Sequence, residues 1–263
     1  MSDPVVVTRR GTMAVLTLNR PEARNPLDQE LSTALLGAVR EALTDDDVRS
    51  VAIAAEGPAF SAGGDLRQMR HLAGSPAPTA HGWPGAIVDL HQLALQAPKP
   101  LVALVDGPAY AGGMGLAGIC DVVLATPKAS FALPEVRIGL FPMIVVAHLA
   151  RSLPRKVLLE MMMTGQPLSV DDAYRLGFVA RVCPDTETLF VEADRYASWF
   201  ADAAPDAIRL GRKAFGVLTD LPAPQALDAA QLFNLAFFLG EELPEGAGAF
   251  LEKRRPAWVE SDG

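Results

Sequence analysis

The sequence predicts an α/β core followed by a helical tail. Short β-rich apolar runs alternate with helical patterns over roughly the first 180 residues. Within this part, a buried strand followed by a glycine-bearing loop and a helix occurs at least twice, which favours stacked β-β-α units. Beyond it, almost every segment has helical spacing.

The first half of the core contains the elements that the pattern predicts most directly. The apolar and turn residues predict, in order, a hairpin of strands at 5–9 and 13–18, a helix over 27–43, a strand over 51–55 and a short helix, capped by Asp65, that ends near Leu72. Residues 73–86 are rich in Pro, Gly and Ala with almost no charge, and they predict a mobile loop.

The second half of the chain changes from mixed to helical. The pattern predicts a helix near 87–95, strands at 101–105, 122–125, 130–132 and 179–182, a helix that ends before Asp121, and tail helices over 186–203, 205–219, 223–240 and 242–253. We interpret residues 1–195 as the core and residues 196–263 as the C-terminal helical region.

Composition and charge exclude several classes of protein. The 263 residues are 50% hydrophobic and 21% charged, which is typical of a globular protein. A net charge of −8 disfavours a nucleic-acid surface, because phosphate binding needs a concentrated basic face. Apolar stretches are too short to span a membrane, and the N-terminus has no signal-peptide pattern, so we expect a cytoplasmic protein. The two cysteines, Cys120 and Cys183, have no metal-binding spacing, and we expect neither a metal site nor a disulfide.

Two similar loops are the most informative chemical signal. Residues 60–65 (FSAGGD) and 110–114 (YAGGM) each follow a buried strand, place glycines at the loop end and open a helix. Glycine lets backbone N–H groups face a ligand closely, and a helix start adds positive potential. Two such loop ends facing each other would form an oxyanion hole.

Other motifs give less information about function. Residues 113–118 match G-x-G-x-x-G, which raises an NAD-dependent oxidoreductase as a remote alternative, but seven residues separate the first glycine from the predicted strand end. The competing interpretation is that these glycines let a helix start close to another backbone. No G-x-S-x-G or GK[ST] motif occurs, and the four histidines are scattered.

Several ordered motifs together resemble the enoyl-CoA hydratase/isomerase (crotonase) superfamily. They are NRPEARNPL at 19–27, AFSAGGDL at 59–66, KP at 99–100, GG at 112–113, FALPEVRIGL at 131–140, LGFV at 176–179 and FLEKRRP at 250–256. The resemblance implies a crotonase-like spiral of repeated β-β-α units with a C-terminal helical trimerisation region.

The same resemblance implies roles for three residues. The N–H groups of Gly64 and Gly112 would hold the thioester oxygen of an acyl-CoA and stabilise the enolate, and Glu135 would be the general acid/base. Apolar residues surround Glu135 in sequence, which predicts a raised carboxyl pKa suited to proton transfer. Without the resemblance, an exposed loop glutamate near Arg137 is an equal alternative.

One position departs from the family pattern. Typical hydratases carry a second glutamate three residues after the second oxyanion glycine, and this chain has Gly115 there. The two-glutamate hydration mechanism cannot run unchanged, whereas a single Glu135 suffices to isomerise 3-enoyl to 2-enoyl thioesters. The resemblance implies an enoyl-CoA hydratase/isomerase, a lyase or an isomerase, and leaves hydration and double-bond isomerisation both open. A catalytically inactive or differently reacting acyl-CoA binder is the other alternative. We expect a glutamate introduced at 115 to raise hydration, and Asp89 and Asp106 are open candidates for a further acid.

Binding residues and assembly also follow from the resemblance. The implied substrate-binding residues are Arg24 and Arg67 near the CoA phosphates, Phe250 and Lys253 near the adenine, and Ala62, Gly63, Asp65, Leu66 and Gly113 in the glycine loops. Coenzyme A would enter as part of the substrate, with no separate cofactor. A homotrimer or hexamer in fatty acid metabolism is expected.

Overall fold

The fold contains two β-sheets and twelve α-helices within residues 3–259, which the computed structural model describes. The larger sheet has the strand order β1-β2-β3-β4-β6-β9 and the smaller one the order β5-β7-β8. The strands are β1 (Val5–Arg10), β2 (Met13–Leu18), β3 (Ser50–Ala55), β4 (Leu101–Val105), β5 (Pro108–Tyr110), β6 (Val122–Ala125), β7 (Ser130–Ala132), β8 (Leu168–Ser169) and β9 (Arg181–Val182).

The helices lie between these strands and then make up the tail. They are α1 (Gln29–Thr44), α2 (Leu66–Leu72), α3 (Ala77–Gly82), α4 (Gly85–Gln96), α5 (Gly112–Gly118), α6 (Met143–Ser152), α7 (Arg155–Thr164), α8 (Val170–Arg175), α9 (Thr186–Asp202), α10 (Pro205–Leu218), α11 (Ala223–Leu239) and α12 (Glu242–Glu252). Two 3-10 helices, Pro21–Ala23 and Pro134–Ile138, add to them.

The larger sheet is buried on both faces along its inner strands β2, β3, β4 and β6, whereas the edge strand β1 is mostly exposed. Its first two strands form an antiparallel hairpin, and every later neighbour pairs in parallel. Along β2, Leu16 and Leu18 pack into the main core with α1, whereas Val15 joins a second cluster with Leu189 of α9. Because side chains alternate between the faces of a strand, a run that is apolar at almost every position is required here.

The smaller sheet brings two loops to one edge. β5 and β7 pair in parallel, with Pro108 opposite Ser130 and Tyr110 opposite Ala132. The carboxyl ends of both strands therefore meet side by side. β5 leads directly into the start of α5, and β7 leads into the 3-10 helix Pro134–Ile138.

One sequence-based prediction is wrong. Most of residues 73–86 form the helix α3 and the start of α4 instead of the predicted mobile loop, with only 73–76 and 83–84 outside the helices. Proline lies in the first turn of α3, where its missing N–H is not needed and its fixed φ suits the helix. The other predicted elements are present with shifted ends: α1 begins after its capping residue Asp28, and the last strand shortens to Arg181–Val182.

The tail helices are tied to the core by ion pairs and packing. Arg212 of α10 donates from its Nε and Nη2 to Asp121 at 2.8–3.1 Å, and it also contacts the Ala97 carbonyl. The interpreted boundary between residues 195 and 196 falls inside α9, whose residues on both sides pack in one apolar cluster. Within residues 3–259, no helix has the length and apolar character needed to cross a bilayer.

Candidate active site

The two glycine loops contact each other directly. Ser61 in the first loop forms a parallel β-bridge with Ala109, accepts the Tyr110 N–H at 2.9 Å and donates its own N–H to Pro108 at 3.2 Å. A Cβ on Gly63 would lie 2.5 Å from Ala111 Cβ, and φ at Gly63 is +88°. Only glycine therefore fits at position 63, for space and for backbone conformation.

The first loop is also held by the segment before α1. Asn25 is fully buried in a left-handed conformation, and its Nδ2 donates to the carbonyls of Glu56 and Ala59, both at 2.9 Å. Its own carbonyl accepts the Ser61 hydroxyl at 2.7 Å, and Leu27 N–H donates to Gly63 O at 2.7 Å. This network fixes the direction in which the following N–H, that of Gly64, points.

Two backbone N–H groups remain free at this junction. Among the contacts of residues 3–259, neither Gly64 N–H nor Gly112 N–H has a hydrogen-bond acceptor. A Cβ on Gly112 would lie 4.0 Å from Gly64 N, so the two groups are neighbours. Ala111 precedes Gly112 with φ +52° and ψ −122°, an unfavourable conformation for a residue with a side chain. Strained backbone of this kind is typical of functional sites, and here it aims the second N–H.

Glu135 is one of two acidic residues in the described cavity lining. Unlike Asp28, it forms no ion pair and caps no helix among the described residues. It lies in the first turn of the 3-10 helix that follows β7, and its Oε2 is buried with no partner among residues 3–259. Burial raises the pKa of this carboxyl, and a contact with its own backbone N–H lowers it by less. A raised pKa brings the group toward the pH at which it can both accept and return a proton.

Glu135, Gly64 and Gly112 line one cavity of about 460 Å³. Its walls are mainly apolar and come from the segments around α1, α2, α4 and α6. They include Leu27, Ala62, Leu66, Met69, Trp83, Pro84, Ala86, Ile87, Ala111, Pro134, Ile138, Leu140, Phe141, Pro142, Met143, Ile144 and Val145. The other carboxylate in the lining, Asp28, caps α1 at Leu31 N and accepts from Arg20 at 2.6 Å. An apolar cavity with a few polar groups is typical of a small-molecule site.

The predicted binding residues divide into three groups. Ala62 and Leu66 line the cavity, as predicted for the first loop. Gly63, Asp65 and Gly113 shape the loops: Asp65 caps α2 at Gln68 N, and a Cβ on Gly113 would lie 2.5 Å from the Ser61 carbonyl.

The four candidates for the CoA end lie outside the cavity lining. Arg24 and Arg67 are exposed beside the first loop, and Arg24 O accepts Ala62 N–H at 2.9 Å. Phe250 and Lys253 lie at the end of α12, on the tail. Their roles remain predictions.

Neither open candidate for a further acid enters the cavity lining. Asp106 accepts hydrogen bonds from the hydroxyls of Thr126 and Thr186, both at 2.6 Å, and from Lys128 at 3.1 Å. Asp89 is exposed and lies 3.8 Å from Arg40. Asp106 is therefore a half-buried structural group, and Asp89 an exposed surface group.

The G-x-G-x-x-G match is explained by helix packing. A Cβ would meet Val145 Cγ1 at 2.2 Å from Gly115 and Leu149 Cδ2 at 2.6 Å from Gly118. The glycines let α5 approach α6 and the first loop, which is the competing interpretation that the sequence left open. The same contact corrects the expectation for position 115, because Val145 already fills the space that a glutamate there would need.

Three contributors to the site were missed from sequence. Met69 and Trp83 pack over Gly64, since a Cβ there would lie 2.2 Å from Met69 Cε and 3.6 Å from Trp83 Cη2. Val145 reaches the cavity from α6. A tryptophan inside an uncharged, apolar stretch was the available signal for a folded cover, but nothing in the pattern pointed to Val145.

Comparisons with known proteins agree with this geometry. The family model described as enoyl-CoA hydratase/isomerase matches residues 8–261. The enoyl-CoA hydratase domain-containing protein 3, mitochondrial, of Rattus norvegicus is 35% identical over 98% of this chain and 85% of its own length. The carnitinyl-CoA dehydratase of Salmonella typhi is 33% identical over 98% of this chain and 99% of its own.

A solved structure extends the agreement to the fold. The enoyl-CoA hydratase of Mycobacterium smegmatis superposes with a TM-score of 0.90 at 34% identity, covering 98% of this chain and 99% of that one. The predicted crotonase-like α/β fold with its helical C-terminal region is thereby confirmed. Described residues 3–259 contain no group of three or more side chains suited to a metal ion. Sequence, fold and site together show that this chain belongs to the enoyl-CoA hydratase/isomerase family.

Proposed function

We propose that this protein moves a double bond along an acyl-CoA thioester, converting 3-enoyl to 2-enoyl, with Glu135 as its single acid/base. The observation that carries the proposal is one unpartnered carboxylate and two free N–H groups on the wall of the same apolar cavity. Asp28 is engaged by Arg20 and the α1 N-terminus, so it is not available as a second base.

The reaction needs no other group. Glu135 removes a proton from C2 of the 3-enoyl thioester, and the electron pair moves onto the thioester oxygen as an enolate. The N–H groups of Gly64 and Gly112 hold that oxygen, and losing one such donor typically lowers the rate by roughly 10²–10³-fold. The same carboxyl then returns the proton at C4, and the double bond lies between C2 and C3. No water is consumed, and the carboxylate ends as it began.

The surroundings of the site support this chemistry over hydration. Hydration requires a group that activates water, and the position that would carry it is Gly115. Besides Asp28, Gln29, Ser32 and Arg137, the rest of the cavity wall around Glu135 is apolar, and an apolar wall limits access of water to a bound enolate and strengthens the hydrogen bonds to it. Coenzyme A enters as part of the substrate, with no separate cofactor.

The test follows enoyl-thioester absorbance with two substrates. The protein should convert 3-hexenoyl-CoA, with a gain of absorbance, and leave crotonyl-CoA unchanged. Glu135→Gln should lower kcat by at least about 100-fold with little change in KM, because the amide cannot transfer the proton. Glu160→Gln, an exposed change on α7, is the matched control.

Other results point elsewhere. Loss of crotonyl-CoA absorbance would make the protein a hydratase. Binding of both thioesters with no turnover would favour an acyl-CoA binding protein, the alternative that the missing second glutamate raises. Retained activity in Glu135→Gln would assign the proton transfer to another group.

We also propose that the protein assembles as a homotrimer or hexamer through its tail. α11 has no buried residue, and Phe238 and Leu239 are 71% and 77% exposed. Apolar exposure on this scale is typical of an interface. Sedimentation equilibrium should give a molecular mass of three or six protomers for the wild type and a lower mass for Phe238→Asp. A monomeric wild type would contradict the proposal.

The cellular setting belongs to the same proposal. Cys120 and Cys183 are both free thiols, which suits a reducing compartment, and we place the protein in the cytoplasm with a role in fatty acid metabolism. Fractionation of cells that express the tagged protein would test the location.

A further inference from the structure

Val145 and Gly115 form one complementary pair across α5 and α6. A Cβ on Gly115 would lie 2.2 Å from Val145 Cγ1 and 2.9 Å from Val145 Cβ, closer than unbonded carbon atoms approach. The valine is 4% exposed and belongs to the cavity wall. The two helices can pack this closely because residue 115 has no side chain, and the valine occupies the volume so released.

Two packed imidazoles adjoin this pair. His91 Cε1 would lie 3.5 Å from a Cβ on Gly115, and the rings of His91 and His148 pack edge to face with centroids 4.9 Å apart. The atoms nearest to a Cβ at position 115 belong to Val145 and His91, and in the described cavity lining the acids are Glu135 and Asp28. A substrate in the cavity therefore meets an isopropyl group where a side chain from position 115 would enter.

We propose that Val145 determines the reaction of this site, by filling the space in which a second acid and an activated water would stand beside the acyl chain. The inference rests on the proposed function and deepens it. With that space closed, the enolate has one proton source, Glu135, and the bond shift is completed without water. Reaction choice is then set by a residue on α6 as well as by the glycine on α5.

The geometry indicates which substitutions should change the reaction from isomerisation to hydration. Val145→Gly removes both atoms that obstruct position 115, and the next obstacle is His91 Cε1 at an ordinary contact distance. The double variant Gly115→Glu/Val145→Gly removes the side chain at position 145 on α6 and introduces a carboxylate side chain at position 115 on α5. Gly115→Gln/Val145→Gly has nearly the same shape without an ionisable group, and it is the matched control.

The first experiment reads the packing and does not depend on activity. Gly115→Ala should lower Tm by about 4 °C or more, because the new methyl group overlaps the valine. Val145→Gly alone is destabilising. In that background, however, Gly115→Ala should lower Tm by no more than half as much as it does in the wild type. Additive losses in the double variant would overturn the pairing.

The second experiment reads the reaction. Gly115→Glu/Val145→Gly should hydrate crotonyl-CoA at least about tenfold faster than the wild type and than the glutamine control, while Gly115→Glu alone should not. Equal hydration by Gly115→Glu alone, or none by the folded double variant, would overturn the proposal. If the double variant fails to fold, the Tm coupling between Gly115→Ala and Val145→Gly decides whether Val145 fills this space, and additive losses contradict the inference.

The results of these two experiments on Val145 can be distinguished from a failure of the proposed isomerase function. An inactive wild type with 3-hexenoyl-CoA would remove the isomerase assignment. The Tm coupling and the gain of hydration in the double variant would still report whether Val145 closes the site to water.

Discussion

Replacing His91 by leucine should make the protein less sensitive to mild acid. His91 is 6% exposed, and burial, together with the charge of His148, lowers its pKa from 6.5 to about 4. The folded protein therefore keeps this imidazole neutral at a pH where the unfolded chain protonates it. Its contribution to stability is fully present above pH 6.5 and is lost as the pH falls from 6.5 toward 4.

The size of the effect follows from the two pKa values. A pKa lowered from 6.5 to about 4 corresponds to about 3 kcal/mol in full. About 2 kcal/mol of this should be lost between pH 7 and pH 5, since the unfolded chain is almost fully protonated at the lower pH. Burial and the nearby Arg151 also lower the pKa of His148, more than a hydrogen bond to the His91 backbone raises it, so the variant keeps the acid sensitivity of this second histidine.

Urea unfolding at one protein concentration, followed by tryptophan fluorescence at both pH values, measures the effect. The wild type should lose about 2 kcal/mol more than His91→Leu on acidification. His71→Leu, at an exposed site on α2, is the control and should behave as the wild type. An equal acid loss in wild type and His91→Leu would show that the imidazole is protonated in the folded state, and the reasoning from burial would be refuted.

Three further predictions concern the site and the tail. Gly63→Ala should abolish the proposed isomerisation and lower the free energy of unfolding by at least about 2 kcal/mol. Its control is Gly74→Ala, at a glycine with a similar positive φ but with no atom near the new Cβ. This control should lower the free energy of unfolding by about 1 kcal/mol and keep activity. Arg212→Met should lower the free energy of unfolding by about 1–2 kcal/mol in denaturant titrations, since it removes a partly exposed ion pair with Asp121 and the hydrogen bond to the Ala97 carbonyl; no change would show that the tail is held by packing alone. The rate should rise with pH through a pKa above the 4.5 of an ordinary glutamate, because the proposed base Glu135 must be deprotonated to accept a proton and burial raises its pKa. Activity that is constant down to pH 4.5 would contradict that assignment.

The parts of the fold that sequence predicts best are those whose signal is local. β2, β3 and β4 are apolar at nearly every position because both faces of the sheet are covered, and the composition alone identifies them. β5 and β8 have three and two residues, and they exist as strands only because β7 lies between them. α3 was missed because Pro and Gly suggest loops, whereas proline is tolerated in the first turn of a helix.

The site shows the same division. Glu135, Gly64 and Gly112 could be predicted because each belongs to a recognisable local motif, and the structure brings all three to one cavity. Val145 could not, since its role depends on how closely α6 approaches α5. For that reason position 115 looked open to a glutamate in the sequence and is filled in the structure.

The junction of the two glycine loops also makes catalysis a reporter of global folding. Gly64 N–H is set by hydrogen bonds from the segment before α1, and Gly112 N–H by β5, whose position depends on pairing with β7. Segments distant in sequence must all be in place before either donor points at a substrate, and such non-local contacts form late and together. The proposed isomerase activity should therefore disappear at the same denaturant concentration as tertiary structure, with no partly unfolded species that still turns over substrate.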